Sequence, residues 1–434
     1  MSSEISEESE EQTPNGAKER FSRTRILELF KTTRSFTSHI VKPLEIEDFV
    51  IQAMENTSPT KWHLAHTSWF FETFVLGKYQ KDFKSLHPQY AYLFNSYYLQ
   101  TGVPFARAGR GMLSRPTVKE VFEYRAYVNE KMESFINSVS DEDWKEASQV
   151  IEIGINHEQQ HQELIITDFK FLLAQNPLLP VYKVGKEITA KDPGELTWTN
   201  FKEAVVEIGN EGGEFTYDNE HPRHRVLVQD FAIANRLITN KEYLEFINDD
   251  GYTRSEFWLN EGWYKVQNEQ WIAPLYWFKR DGEWTQFTLS GARKVAEHEP
   301  VTHVSYYEAD AFAKWKGLRL PTEQEWEHAC GNLPIEGNFV DDDVIHPVPL
   351  QGKLEGLRQM YGDAWEWTQS SYNAYPGYVP LPGALGEYNG KFMANQFVLR
   401  GGSCATSKSH IRKTYRNFFH ADARWQFSGI RLAK

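Results

Sequence analysis

Two cysteines, Cys330 and Cys404, are all that 434 residues contain, too few for a disulfide framework. The N-terminus lacks an apolar leader, and no apolar run approaches the length that spans a bilayer, so a membrane role is excluded and the cytoplasm is the expected compartment. Clustered Lys and Arg are missing as well. With a net charge of −13, the chain has no electrostatic footprint for nucleic acid. No internal repeat is visible, which sets aside solenoids and propellers.

What remains is a globular composition, 40% hydrophobic and 25% charged, long enough for two or three domains with cores of their own. Aromatic residues reach 15%, with 14 Trp, enough to furnish a core and to line a pocket for an aromatic or cationic small molecule. Residues 1–20 are acidic, Ser-rich and nearly free of apolar side chains, so a disordered tail is expected there.

From residue 21 to 176 apolar residues recur at helical spacing in four long segments, which predicts a four-helix bundle with one long loop between its second and third helices. The second helix is expected to open with Ser58 as N-cap and Pro59 in its first turn, and to stop at Gly77. Residues 177–200 carry several Pro and no helical period, and read as a linker. From 201 to 434 short strand-like runs lie among Gly, Asn, Pro and Trp, with one clear helix near "SYYEADAFAKWKG", which predicts an α+β domain rich in irregular structure.

The stretch His157-Glu158-Gln159-Gln160-His161 has the H-E-x-x-H spacing of zinc peptidases. Residues i and i+4 share a helix face, so both imidazoles can reach one ion while Glu158 and Gln159 turn away. A peptidase needs a third ligand, either a His six residues on or a Glu some twenty residues beyond. Position 167 is Thr, and the region after Asn176 is Pro-rich. The second helix offers instead His63 and His66, one turn apart in "KWHLAH", and one of them can complete a three-histidine face in the bundle core.

"WHLAHTSWFFE" with "HEQQHQE" resembles the DinB-like bundle of the ergothioneine-biosynthesis sulfoxide synthases, which are non-haem iron(II) enzymes. The second half, through "PVTHVSYYEADAFAKWKGLRLPTEQEWEHACG", "YGDAWEWT" and "RGGSCATSKSHIRKTYRNFF", is similar to their other domain, a formylglycine-generating-enzyme-like variant of the C-type lectin fold. The resemblance implies an α+β multidomain protein with iron(II) on His66, His157 and His161, His63 being a neighbour. It implies O2 as co-substrate and the joining of hercynine (Nα-trimethylhistidine), at its imidazole C2, to cysteine or γ-glutamylcysteine, with oxidation of the sulfur to the sulfoxide.

By the same resemblance, Arg107 and Arg110 hold the thiol substrate's carboxylate, Gln160 bonds the hercynine imidazole and Asn417 contacts the same substrate. Two guanidiniums three residues apart in a Gly-containing loop suit that task on their own chemistry. Tyr97 and Tyr98, in the long loop, are the candidate acids, one or both facing the oxygen. Trp425 is a candidate host for the trimethylammonium, with Trp365, Trp367 and Phe418. Where some relatives carry an Asp that pairs the amino group of γ-glutamylcysteine, this chain has Phe419, which makes free cysteine an eligible thiol.

Three other readings stay open at this level. An ovothiol-type synthase attaches sulfur elsewhere on the imidazole and usually continues into a methyltransferase domain, and a selenoneine synthase shares the two domains. A metal-free small-molecule binder is the reading from outside enzymology. Copper chemistry of the formylglycine-generating type needs a reactive cysteine pair, and the C-terminal region holds Cys404 alone.

Overall fold

The computed structural model describes residues 20–185, 191–352 and 355–434. The acidic stretch expected to be disordered lies, but for Arg20, outside the described residues. Four long helices form the first half: α1 (Arg23–Val41), α2 (Thr60–Phe71), α3 (Val118–Ser138) and α4 (Asp141–Gln175). Their starts follow from side chains that satisfy free backbone N–H groups. Ser22 accepts from Arg25, Thr117 and Glu120 form a reciprocal capping box, and Ser140 accepts from Asp143 at the head of α4. Three acidic residues, Asp141, Glu142 and Asp143, also sit in the first turn of α4, where the helix dipole favours them.

The second helix departs from its expected bounds at both ends. Pro59, not Ser58, occupies the cap position, because the Ser58 hydroxyl is taken up by Arg110 and its N–H by Asp168. Gly77 does not stop the helix, which continues from α2 through a π-helical turn, Glu72–Leu76, to Tyr79. The loop that follows, residues 80–117, is built of short helical turns such as Tyr90–Leu93, Leu99–Thr101 and Arg107–Met112.

The second half opens with β1 (Trp198–Phe201), whose first residues lie inside the expected linker because they pair with β4 (Phe231–Ala234). β2 (Ala204–Ile208) and β3 (His224–Val228) form a hairpin, and β5 (Trp277–Arg280), β6 (Glu283–Thr288) and β7 (Gly291–Lys294) a meander. The central sheet runs β10–β9–β8–β11, from Asn417–His420, Gln396–Arg400, Trp365–Ser371 and Ser428–Gly429. Instead of one helix, the described residues of this half form four α-helices: α5 (Asn240–Asn248), α6 (Asn260–Glu269), α7 (Tyr306–Trp315) and α8 (Glu323–Cys330). Capping boxes at Thr239/Glu242, Ser305/Glu308 and Thr322/Glu325 open three of them, a local signal strong enough for helices too short to show a period.

Helices α2 and α4 run antiparallel and come unusually close, because Gly154 offers no side chain. A Cβ there would lie 2.5 Å from the Phe71 ring and 2.9 Å from that of Phe70. This approach sets the separation of His66 on α2 and His157 on α4. Gly154→Ala is expected to push the helices apart at a cost of about 1–3 kcal/mol. Thermal unfolding of the variant checks this, and a midpoint equal to wild type would show that the contact imposes no constraint.

Candidate metal centre and substrate cavity

His157 and His161 lie one turn apart on α4, and His66 faces them from α2. Their ring centroids are 4.6–4.9 Å apart, and one ligand nitrogen from each falls within 4.8 Å of the other two. Each ring has a defined setting. His66 is stacked between the indoles of Trp62 and Trp69, and its Nδ1 bonds the Phe94 carbonyl at 2.6 Å, leaving Nε2 directed at His157 Nε2, 3.2 Å away. The buried His157 Nδ1 has no hydrogen-bond partner. Burial, and after it the neighbouring imidazoles, hold His66 and His161 well below the usual histidine range, and burial takes His157 down to about 3. Three neutral imidazoles with one nitrogen each gathered within 4.8 Å are a donor set that fits a divalent transition metal.

Glu158 plays no part in that convergence. It is fully buried on an adjacent face of α4, where it accepts from Arg34 at 2.8 Å, from Arg125 and from Thr37 at 2.6 Å. Arg34 continues to Ser68 and Asn129, and Arg125 to the Arg34 carbonyl and Thr67. One carboxylate thus ties α1, α2 and α3 to α4. Burial pushes its pKa up, but Arg125 and Arg34 outweigh this and bring it down to about 2. The glutamate that serves as general base in an H-E-x-x-H peptidase is here part of the bundle's ionic core.

The next residues along α4 belong to the other half. Gln159 donates to Ser407 and Ser409, and the Glu163 carboxylate accepts from Trp365 at 2.7 Å and from Ser403 and Thr406 at 2.8 Å. The Gln160 amide donates to the Tyr415 hydroxyl and accepts from that of Tyr388. Tyr415 in turn meets His410, which is bonded to Asn156 on α4. The seam between the halves encloses a cavity of about 330 Å³, within the range of small-molecule sites. His63, His157 and His161 line it from the bundle, and His66 closes the cluster from behind.

Among the other sequence candidates, Arg107, Arg110, Gln160, Asn417 and Trp425 also face this cavity. Arg110 is the most informative. The residue is 2% exposed, its guanidinium lies 3.4 Å from the centre of the Trp62 ring and donates to Ser58, yet Nε has no partner and no carboxylate among the described residues forms an ion pair with it. Burial, and then Arg107, lower its pKa to about 8, the mark of a cation waiting for an anion. Arg107 is exposed at the cavity rim.

Tyr97 and Tyr98 part company. Tyr97 reaches the cavity, whereas Tyr98 is buried behind it against Trp69 and Phe74. Phe418 and Phe419 join Trp425 in the far wall; Trp365 and Trp367 do not line the cavity, their indoles being spent on Glu163 and the Val304 carbonyl.

Residues 29–165 match the DinB superfamily, and residues 199–351 and 350–434 match the sulfatase-modifying factor enzyme 1-like domain. The chain is 33% identical to the hercynine oxygenase of Mycobacterium tuberculosis over 306 residues, 65% of this chain and 71% of that protein. It is 30% identical to the hercynine oxygenase of Mycolicibacterium smegmatis over 428 residues, 90% of this chain and 94% of that protein. The chain belongs to the hercynine oxygenase family. A third relative, ergothioneine biosynthesis protein 1 of Schizosaccharomyces pombe, is 29% identical over 51% of this chain and 28% of its own length. The halves are accordingly a DinB-like helical domain and a formylglycine-generating-enzyme-like domain of C-type-lectin-like fold.

In this member of the hercynine oxygenase family, Tyr388, Tyr415, Asp168 and Ser58 also line or support the cavity, and sequence reasoning did not single them out. Only Asp168, seven residues after His161 on the same helix face, carried a signal that could have found it. Glu158→Gln is expected to leave Arg34 and Arg125 buried with the charge of their shared partner removed and to cost about 3–5 kcal/mol of stability. Denaturant unfolding measures the loss; unchanged stability would refute the structural role of the carboxylate.

Proposed function

We propose that this protein is an iron(II)- and O2-dependent sulfoxide synthase that joins cysteine sulfur to C2 of hercynine. The observation that carries the reading is the three-histidine cluster on the wall of a cavity that also holds an unpaired buried arginine. Family membership supplies hercynine, the molecule named for the relatives. The reaction balances as thiol plus hercynine plus O2 giving sulfoxide plus water. The S–H and C2–H bonds break, C–S and S–O bonds form, and the four electrons released reduce one oxygen atom to water and leave the other on sulfur.

His66, His157 and His161 would hold iron(II), which supplies the one-electron chemistry that lets O2 react with closed-shell substrates. Arg110, with Arg107 at the rim, receives the thiol's carboxylate and regains the counter-anion that its burial calls for. Gln160 has one amide N–H and one carbonyl lone pair left after bonding Tyr415 and Tyr388, sufficient to orient an imidazole together with Asn417. Phe418 and Trp425 present aromatic faces for the trimethylammonium. Tyr97 is the side chain placed to deliver a proton. Burial raises its pKa, so it holds that proton until charge develops beside it. Tyr98 stacks on Tyr97 at 4.6 Å and acts as its support. Phe419 brings no partner for a second ammonium, and Asp422 in the same wall is already paired with Lys265, which favours cysteine over γ-glutamylcysteine.

Enzyme loaded anaerobically with iron(II), then given O2, hercynine and cysteine, should consume O2 and yield the C2 sulfoxide, with γ-glutamylcysteine the poorer thiol. Turnover of histidine but not hercynine, or attachment at C5, would move the assignment to ovothiol-type chemistry. Tyr97→Phe should preserve substrate binding, slow sulfoxide formation by about 10²–10⁴-fold, the range of a lost acid, and raise the share of thiol dioxygenation. Product ratios from Tyr97→Phe that equal wild type would remove this residue from the proton step.

A further inference from the structure

His63 and Asp168 are polar residues of the cavity wall to which the reading above gives no task. His63 sits one turn before His66 on α2, and Asp168 two turns beyond His161 on α4. The antiparallel packing of the two helices brings them together: His63 Nε2 lies 3.0 Å from Asp168 Oδ2, and His63 Nδ1 lies 2.8 Å from His161 Nδ1. The Ser58 backbone N–H donates to the same Asp168 oxygen at 2.8 Å. All three side chains are buried, at 3%, 7% and 8% exposure for His63, Asp168 and His161.

The direction of each bond follows from what each atom can do. An ionised carboxylate only accepts, so His63 Nε2 carries the hydrogen that meets Asp168. In the neutral tautomer that meets Asp168 through Nε2–H, His63 presents Nδ1 as a lone pair, and the hydrogen between the two rings then belongs to His161 Nδ1. His161 Nε2 is thereby left as a lone pair, the form in which an imidazole binds a metal. Phe94 does the same for His66 through its carbonyl, whereas His157 Nδ1 has no such partner. Two of the three candidate ligands are therefore fixed in tautomer and orientation, one by a neutral carbonyl and one by a chain that ends in a negative charge.

We propose that Asp168 and His63 are positioning residues that lock His161 in its Nδ1–H tautomer and strengthen Nε2 as a ligand for a divalent metal. The proposal rests on the three-histidine reading of the centre. Hydrogen bonds of this kind orient the ligand ring and raise its basicity, and their loss typically weakens metal binding about 10–100-fold.

The test uses the full-length metal-free protein titrated with Co(II), followed by visible absorption, in wild type, His157→Ala, Asp168→Asn and His63→Gln. Thermal unfolding of each metal-free variant and side-chain ¹⁵N NMR of the metal-free wild type accompany it. Wild type should bind one Co(II) and His157→Ala should lose it; failure of wild type to bind sinks the three-histidine reading itself. Asp168→Asn and His63→Gln should fold with near-normal melting and bind Co(II) about 10–100-fold more weakly. Affinities of both variants within about twofold of wild type would overturn the relay while leaving the metal centre intact. If a variant does not fold, the ¹⁵N spectrum decides: His161 protonated on Nδ1 supports the relay, and protonation on Nε2 refutes it.

Discussion

Helix α4 is shared ground, and its docking on both sides is the constraint from which the site follows. Toward the bundle it is held by Glu158 in the grip of Arg34 and Arg125; toward the lectin-like half it is held by Gln159, Gln160 and Glu163. An isolated buried carboxylate would be costly, and so would two isolated guanidiniums, so the ionic core fixes how α1 and α3 meet α4 with little tolerance for rotation. Because a helix turns 100° per residue, fixing residue 158 also fixes where 157 and 161 point. The histidines face the seam between the halves as a result of contacts made behind them.

The cavity inherits its character from that arrangement. Its bundle wall carries imidazoles, a buried guanidinium and the carboxyl groups of Glu163 and Asp168, and its far wall sets aromatic rings among Asn389, Asn417 and Asp422. Neither half encloses the cavity alone. Gln160 marks the junction, since its side chain lies on the helix of His157 and His161 but both its hydrogen bonds go to tyrosines of the other domain.

Much of this was legible in the sequence wherever the determining interactions are local. The spacing of His157 and His161 and the change from helical to strand-like texture near residue 200 both depend on neighbours within a few positions. The pairing of Arg34 and Arg125 with Glu158 was not legible, because a buried arginine and a solvated one occupy the same place in a helical pattern. The same holds for Tyr388 and Tyr415, more than two hundred residues from the glutamine they hold. Tyr97 and Tyr98 were indistinguishable as a pair; burial behind Trp69 and Phe74 separates them. The start of α2 was misjudged for a related reason, since Ser58 has the chemistry of a cap but is engaged by Arg110 and Asp168 from elsewhere in the chain.

The loop that carries Tyr97 is stapled from across the seam. Glu387 accepts the backbone N–H groups of Leu99 and Gln100 at 3.0 Å, Lys391 donates to the Tyr97 carbonyl, and Phe392 packs edge-on against the Tyr97 ring. This segment of the bundle therefore takes its shape from a domain that begins a hundred residues later. Transplanting either half onto a relative's partner would carry the histidines across unharmed yet strand the tyrosine without its anchor, so the two domains are bound to evolve as a matched pair.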